Sequence, residues 1–456
     1  MSFDKQFKWG AATASYQIEG GAYEDGKGLS IWDMFCKEPD KIYNGDTGDF
    51  ACDSYHRIKE DVKIIKDLGI KIYRFSLSWT RILPKGIGKI NEDGLKFYDM
   101  FIDELIKANI EPYITLFHWD YPYELYKKGH WLNDESSKWF ENYTDVVVKR
   151  YGDRVKNWMT INEPQIFIGL GYLTGRHAPG LKLSRFDIIR MTHNVLLSHG
   201  KAVRKIREHV ENASVGFAFV CDVGIPSTNS DEDKNAAREY TFNRQSKEND
   251  IKRYDFPFDN ELWFDPVILG KYPNWVYENY SENLPKSLDE DLKIISENVD
   301  FMGLNIYHGK EVKNSDGGFE FVKLNQGHAV TGHNWNFTPD ALYWGPYFMY
   351  ERYKKPIMIT ENGLSNKDWV SIDGKVHDEG RIDFLKRYLI RLGDAIDDGI
   401  NVTGYFQWSL LDNFEWAEGY KERFGLVYVD FLTGVRTKKE SYYWYRDLIN
   451  GKEELK

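Results

Sequence analysis

Eight short segments of strand-like composition alternate along the chain with longer stretches of helical periodicity, and this alternation limits the fold most strongly. The segments predicted as strands are 9–15, 71–76, 111–117, 155–161, 214–220, 301–304, 356–360 and 402–407. The helices predicted between them are 54–68, 92–108, 135–151, 186–209, 289–296 and 379–398. Strands separated by helices pair in parallel, so eight such units predict an α/β fold, the closed (β/α)8 TIM barrel.

The longest interval between predicted strands runs from residue 220 to residue 301. It contains a helical pattern at 236–247 and the aromatic segment 263–266, but it lacks the composition of an independent domain. We therefore predict a single domain over residues 1–456, a barrel with elaborated βα loops.

Composition excludes several partners. The formal charge of −11 argues against nucleic acid and against anionic membranes. The sequence does not begin with a basic segment followed by an apolar one, the pattern of a signal peptide. It also contains no run of about 18 apolar residues, the length needed to span a membrane. The three cysteines form no C-x-x-C pair, which favours free thiols in a reducing, cytoplasmic setting. A homo-oligomer is compatible with these features.

Polar or aromatic residues follow seven of the eight predicted strands. They are Gln17, Arg74, His118 with Trp119, Asn162 with Glu163, Asn305 with Tyr307, Glu361 with Asn362, and Trp408. Only the fifth strand, ending near Val220, has no obvious polar contribution. The carboxyl ends of barrel strands converge on one mouth, so Glu163 and Glu361 are expected to meet there although they lie far apart in the chain. Paired carboxylates at such a mouth are typical of glycoside hydrolysis.

Sequence motifs in a fixed order carry a resemblance over essentially the whole chain. They are Trp9-Gly10-Ala11-Ala12-Thr13-Ala14-Ser15-Tyr16-Gln17, Tyr73-Arg74-Phe75-Ser76, His118-Trp119-Asp120, Asn162-Glu163-Pro164, Asn305-x-Tyr307, Thr360-Glu361-Asn362-Gly363 and Trp408 through Trp416. On these residues the chain resembles glycoside hydrolase family 1, the β-glucosidase family. The resemblance implies a (β/α)8 barrel, retention of anomeric configuration, and neither a metal nor an organic cofactor.

The resemblance also implies catalytic roles. Glu163 matches the family's general acid/base, and Glu361 matches its nucleophile. Arg74 and Tyr307 match residues that position the nucleophile, and Asn305 is expected to support Glu163. One carboxyl group must carry a proton for the leaving oxygen, while the other must be ionised to attack the anomeric carbon.

A second set matches residues that bind the sugar: Gln17, His118, Trp119, Asn162, Trp335, Trp408, Glu415 and Trp416. Asn162 is expected to contact the 2-hydroxyl, Trp119 to donate its indole N–H, and Trp408 to form an apolar platform. Trp335 is expected to wall the entrance. It stands in Asn334-Trp335-Asn336-Phe337-Thr338-Pro339, where many members have Gly-Trp-Glu-Ile/Val-Tyr-Pro, so leaving-group preference stays open.

The expected function is an exo-acting retaining β-glucosidase that also accepts β-galactosides and β-fucosides, with a small-molecule β-glycoside as its partner. One alternative is a 6-phospho-β-glycosidase, for which Lys421 and Tyr420 stand near; the carboxylate of Glu415 would repel a phosphate. A catalytically silent sugar-binding barrel and an unrelated lyase or isomerase on the same fold are further alternatives. A metal site at His118 and Asp120 lacks a third spaced ligand.

Overall fold

The eight predicted strands all form, and they close into one parallel barrel. In the computed structural model, which describes residues 3–242, 256–316 and 318–455, each strand pairs in parallel with its neighbours. The strands are β1 (Lys8–Ala12), β2 (Ile72–Ser76), β3 (Glu111–Phe117), β4 (Asn157–Asn162), β5 (Ser214–Val220), β6 (Met302–Asn305), β7 (Ile357–Asn362) and β8 (Val402–Trp408). Since β1 pairs with both β2 and β8, the sheet closes, which confirms the predicted (β/α)8 fold.

One main helix follows each strand. The helices are α1 (Ser54–Leu68), α2 (Glu92–Lys107), α3 (Ser136–Tyr151), α4 (Arg185–His209), α5 (Leu288–Ile295), α6 (Ala341–Tyr353), α7 (Glu379–Asp397) and α8 (Glu440–Ile449). Six of them were predicted to within one residue at each end. No helix among the described residues is both long enough and apolar enough to cross a membrane.

The remaining elements are short and lie mostly in the loops. The further helices are Ser15–Ile18, Ile31–Phe35, Trp79–Ile82, Tyr123–Tyr126, Pro164–Ile168, Gly169–Leu173, Asp231–Phe242, Asn260–Leu269 and Asn274–Tyr280. Single helical turns occur at Tyr43–Gly45, His130–Leu132, Phe256–Phe258, Ser281–Asn283 and Trp416–Glu418. Strands Val223–Pro226, Gly309–Ser315 and Gly318–Phe321 form one small sheet, and Val427–Val429 pairs with Arg436–Lys438 in another.

Three predictions about these elements were incomplete. The helical pattern at 236–247 corresponds to Asp231–Phe242, and its last five residues lie outside the described residues. The first strand ends at Ala12 and not at residue 15, because Ser15–Ile18 turns into a helix that carries Gln17. The helices α6 and α8 were not predicted: α6 contains Pro346, and α8 is rich in aromatic residues typical of strands.

Two clusters of buried apolar side chains stabilise the barrel. Side chains that point inward from the strands, among them Ile72, Tyr113, Met159, Met358 and Phe406, fill its interior as one buried cluster. A larger cluster fills the space between the strands and the surrounding helices. Residues alternate between these two clusters along each strand, so side chains fill the interior of the barrel.

Candidate active site

Glu163 stands at the mouth because the chain turns sharply there. It follows the last residue of β4, has a φ of 43°, and precedes Pro164, the first residue of a short helix. A left-handed conformation is uncommon for a residue other than glycine, and such strain occurs often at functional sites. The turn brings the Glu163 side chain to the wall of a cavity at the barrel mouth.

Glu361 lies within β7, opposite Asn305 of the neighbouring β6. Its two carboxylate oxygens have different partners. Arg74 donates from Nη1 to Oε1 at 2.7 Å, and the Tyr307 hydroxyl donates to Oε2 at 2.7 Å. The carboxylate is thus held at both oxygens.

Arg74 is itself fixed within the barrel. Its side chain is 1% exposed, and it also donates to the Thr360 carbonyl at 2.9 Å, to Asn162 Oδ1 at 2.7 Å and to the Thr115 hydroxyl at 3.0 Å. These partners come from β3, β4 and β7. A buried guanidinium with this many acceptors has one orientation, so the position of Glu361 is set by the barrel itself.

Asn305 connects the two glutamates. Its amide nitrogen donates to Glu163 Oε1 at 2.8 Å and to Asn162 Oδ1 at 3.1 Å. Its oxygen accepts from the Thr360 hydroxyl at 2.6 Å, and this bond fixes which way the amide faces. Asn305 therefore contacts both Glu163 and the residue that precedes it.

The two carboxyl groups differ in their electrostatic surroundings. Burial, followed by the nearby charge of Glu361, raises the pKa of Glu163 to about 8. Burial also raises the pKa of Glu361, but the charge of Arg74 and the Tyr307 hydrogen bond oppose that rise. When the pair shares one proton, we assign it to Glu163, because the cation contacts Glu361 directly.

The cavity at the mouth has a volume of about 450 Å³. Most of the predicted site residues line it: His118, Trp119, Glu163, Asn305, Tyr307, Trp335, Glu361, Trp408, Glu415 and Trp416. Gln17, Arg74 and Asn162 are not part of the lining; they are buried and bonded to residues that are. The volume suits a small ligand such as one or two sugar units.

Several buried polar atoms beside the cavity have no hydrogen-bond partner among the described residues. Gln17 donates to Asn413 Oδ1 at 3.0 Å and lies 3.4 Å from Glu415 Oε2, while its own oxygen is unpaired. The His118 Nε2 lies 3.1 Å from the Asn162 amide nitrogen, and its Nδ1 is unpaired. Unpaired groups of this kind cost free energy unless a ligand binds them.

The indole of Trp119 has a protein partner. Its N–H donates to the backbone carbonyl of Asn162 at 3.0 Å, and its contact with a sugar stays a prediction. The ring still lines the cavity and packs against Trp416 with 4.5 Å between ring centroids. Its φ of 79° turns the residue back over the end of β3, which brings the N–H beside β4.

The cavity residues that the sequence did not single out include Asp222, His308 and His333. Asp222 lies two residues past β5, the strand for which no polar end was predicted, and His308 lies three residues past β6. Reading a little further beyond each strand would have found both. His333 lies in the long loop before α6, where no local pattern indicates which side chain turns inward.

One group of residues could hold a metal ion. Within the described ranges, the one trio of His, Cys, Asp or Glu with ligand atoms within 4.8 Å of each other is His377, Glu379 and Glu440. None of these lines the cavity. His118 and Asp120 do not belong to such a group in that part of the chain.

Comparison with known proteins agrees with the site. A sequence profile described as Glycosyl hydrolase family 1 matches residues 1–454. The chain belongs to glycosyl hydrolase family 1. It is 44% identical to beta-glucosidase A of Thermotoga maritima, with 99% of each chain covered, and 44% identical to the 1,4-beta-D-glucan glucohydrolase of Thermotoga neapolitana, with 98% of each covered.

Solved structures and a phosphoglycosidase extend this comparison. The beta-glucosidase of Thermotoga maritima in complex with glucoimidazole superimposes with a TM-score of 0.89, at 44% identity and 99% coverage of each chain. The aryl-phospho-beta-D-glucosidase BglC of Bacillus subtilis is 37% identical over 98% of this chain and 97% of its own. Family 1 members similar to this chain therefore include enzymes named for neutral and for phosphorylated glycosides.

Proposed function

We propose that this family 1 enzyme is a retaining, exo-acting β-glucosidase that removes terminal β-D-glucosyl residues. The observation that carries the proposal is that the two glutamate side chains have different hydrogen-bond partners. Arg74 and Tyr307 contact Glu361, whereas Glu163 accepts one amide hydrogen bond from Asn305. Such inequality assigns an ionised nucleophile and a protonated acid within one pair of identical side chains.

The first step uses both groups at once. The ionised Glu361 attacks the anomeric carbon, and Glu163 gives its proton to the departing oxygen as the glycosidic bond breaks. Arg74 keeps Glu361 ionised, and Tyr307 holds one oxygen. The product of this step is a glucosyl ester of Glu361 with the leaving group released as an alcohol.

The second step reverses the roles. Once Glu361 is an ester, its charge is gone, and the pKa of Glu163 falls because this charge was one cause of its elevation. Glu163 can then accept a proton from water as the water attacks the anomeric carbon, and the ester bond to Glu361 breaks and regenerates its carboxylate. Glucose leaves with its β configuration retained, after two inversions.

The sugar-binding set supports a neutral hexose. Trp408 and Trp416 supply ring faces, and Gln17, His118, Asn162 and Glu415 supply hydrogen-bonding groups at or just behind the wall. Burial and the charges of Glu361 and Glu163 raise the pKa of Glu415 well above its ordinary range. The ionised Glu361 would repel a dianionic phosphate, whereas a protonated Glu415 can hydrogen-bond to a neutral sugar hydroxyl.

Lys421 and Tyr420, which could bind a phosphate, have partners within the protein. Lys421 lines the cavity but lies 3.2 Å from Glu418 and 3.6 Å from Glu422. The Tyr420 hydroxyl donates to the Thr47 carbonyl at 2.6 Å. These contacts favour the β-glucosidase over the 6-phospho-β-glycosidase.

The test compares initial rates on nitrophenyl β-glucoside, its 6-phosphate, nitrophenyl β-galactoside and nitrophenyl α-glucoside. We expect the highest kcat/KM on the β-glucoside, lower activity on the β-galactoside and none on the α-glucoside. Activity confined to the 6-phosphate would overturn the choice of substrate, and activity on none of them would overturn the function. The Glu361→Gln variant serves as the inactive control.

We further propose that the enzyme works in the cytoplasm as one catalytic domain spanning residues 1–456. Cys36, Cys52 and Cys221 are buried free thiols, which supports a reducing setting. Fractionation of the source cells with a cytoplasmic marker enzyme tests the location.

A further inference from the structure

His333 lies in the cavity wall between two carboxyl groups. Its Nε2 is 3.8 Å from Glu415 Oε1, and its Nδ1 is 3.8 Å from Glu422 Oε2. The side chain is 12% exposed, and its ring packs against Trp335 and Phe424 at centroid distances of 4.6 and 5.3 Å. These contacts fix the position of the ring. His333 also directly precedes the segment in which this chain departs from the common family pattern.

Ser365 lies beside one ring nitrogen of His333. The Ser365 hydroxyl oxygen accepts the backbone N–H of His333 at 3.0 Å and lies 3.1 Å from Nδ1. The Ser365 hydroxyl carries a proton that it can donate to Nδ1. Burial lowers the pKa of His333, which favours the neutral ring. In the neutral tautomer that accepts from Ser365, the ring proton is on Nε2, the nitrogen closer to Glu415.

The Glu415 carboxyl group has different neighbours at its two oxygens. The Gln17 amide lies 3.4 Å from Oε2, on the fully buried side. The Nε2 of His333 is the neighbour of Oε1, at a distance too long for a direct hydrogen bond. A donor and an acceptor thus stand side by side at the cavity wall without bonding to each other. A hydroxyl group can accept from the one and donate to the other.

We propose that His333 is a further substrate-binding residue, which together with Glu415 binds the C6 hydroxyl of the terminal sugar. The proposal rests on the β-glucosidase function proposed above. The C6 hydroxyl is the group that projects from the sugar ring, and His333 approaches from a loop at the mouth, whereas Gln17 is fully buried beneath. The contact selects for sugars that carry a free C6 hydroxyl.

The test uses two substrates that differ only in this group. Nitrophenyl β-D-fucoside is nitrophenyl β-D-galactoside without the C6 hydroxyl. The ratio of kcat/KM on the galactoside to that on the fucoside is measured for the wild type, His333→Leu and His333→Gln. Leucine removes the N–H donor, whereas glutamine keeps an amide donor close to the Nε2 position.

We expect the ratio to fall about three- to tenfold in His333→Leu, the size of one hydrogen bond, and to recover in His333→Gln. An unchanged ratio, or an equal loss on both substrates, would show that His333 only supports the loop and would overturn the proposal. If His333→Leu does not fold, His333→Met gives the same comparison, since it also lacks a donor. A wild type without activity on any of the β-glycosides would overturn the proposed function and this contact with it, whereas an active wild type with an unchanged ratio overturns the contact alone.

Discussion

Glu163 and Glu361 carry the same functional group, and their neighbours make them different. Glu361 has a guanidinium on one oxygen and a phenol on the other, while Glu163 has an amide. At the scale of single residues, the proposed mechanism depends on this difference. It predicts that removing one glutamate has a different stereochemical result from removing the other.

The first prediction concerns azide rescue. In Glu361→Ala the nucleophile is missing, so azide enters from the vacated face of an activated aryl β-glucoside and gives an α-glucosyl azide. In Glu163→Ala the ester on Glu361 still forms, because a good leaving group barely needs a proton, and azide then displaces it to give the β-glucosyl azide. Both products are isolated and assigned by the NMR coupling of the anomeric proton. The opposite pair of anomers would mean that the two roles are exchanged.

The second prediction concerns pH. Burial and the charge of Glu361 raise the pKa of Glu163 to about 8, so the acid is protonated below this pH and loses its proton above it. On an alkyl β-glucoside, whose leaving group needs the proton, kcat/KM should therefore fall about tenfold per pH unit above about 8. The pH profile is measured for the wild type and for Glu163→Gln. If Glu163→Gln shows the same fall in kcat/KM above about pH 8 as the wild type, the group that titrates is not Glu163.

At the scale of elements, the loops after β7 and β8 are tied together by Arg381 of α7. Its side chain is 0% exposed; it donates to Asp378 at 2.9 Å and also bonds to Asp368. It further donates to the carbonyl of Arg423 at 3.1 Å and to that of Leu364. One side chain thus joins the loop that follows Glu361 to the loop that carries Glu415.

The third prediction follows from this burial. Arg381→Met leaves buried carboxylates without their main cation, which should lower the free energy of unfolding by about 3–5 kcal/mol. Arg387 on the same helix pairs with Asp383 at 2.8 Å but is 59% exposed, so Arg387→Met should cost under about 1 kcal/mol. Urea unfolding of both variants gives the comparison. Equal losses would show that Arg381 contributes no more than a surface ion pair.

At the scale of the whole molecule, the two ends of the chain meet in the barrel. The first strand pairs with the last, and Tyr445 of α8 donates to the Gly10 carbonyl of β1 at 2.9 Å. Tyr442 of the same helix donates to the Ile64 carbonyl of α1 at 2.7 Å. The pairing of β1 with β8 and the hydrogen bonds from α8 therefore connect the first and last elements of the fold.

The fourth prediction is one cooperative unfolding transition, as expected for a single domain. Loss of activity, loss of helical circular dichroism and exposure of tryptophan should coincide on heating. A chain ending at residue 438, which lacks α8, should not reach the native fold, because β1 and α1 lose the partners described above. Two separate transitions would contradict the single domain and indicate independent folding units.

Sequence alone determined the barrel and most of its mouth. Each strand is a local apolar run, and seven of the eight are followed by polar or aromatic residues, so the strands and the residues at their ends, such as Glu361 in β7, could be found without tertiary information. The alternation of strands and helices predicted a closed parallel barrel, and the carboxyl ends of all strands in such a barrel lie at one mouth. The helices with a regular apolar face were found for the same reason.

Only the tertiary structure decided what approaches the cavity from the loops and which groups are already bonded. His333 is turned inward by packing against Trp335 and Phe424, and the indole N–H of Trp119 is taken by a carbonyl of the next strand. These outcomes depend on contacts between residues distant in sequence, which leave no periodic pattern. The difference between Glu163 and Glu361 also depends on the fold: the motif around Arg74 indicated its role by resemblance, but the contact between Arg74 and Glu361 forms only when β2 and β7 are brought together.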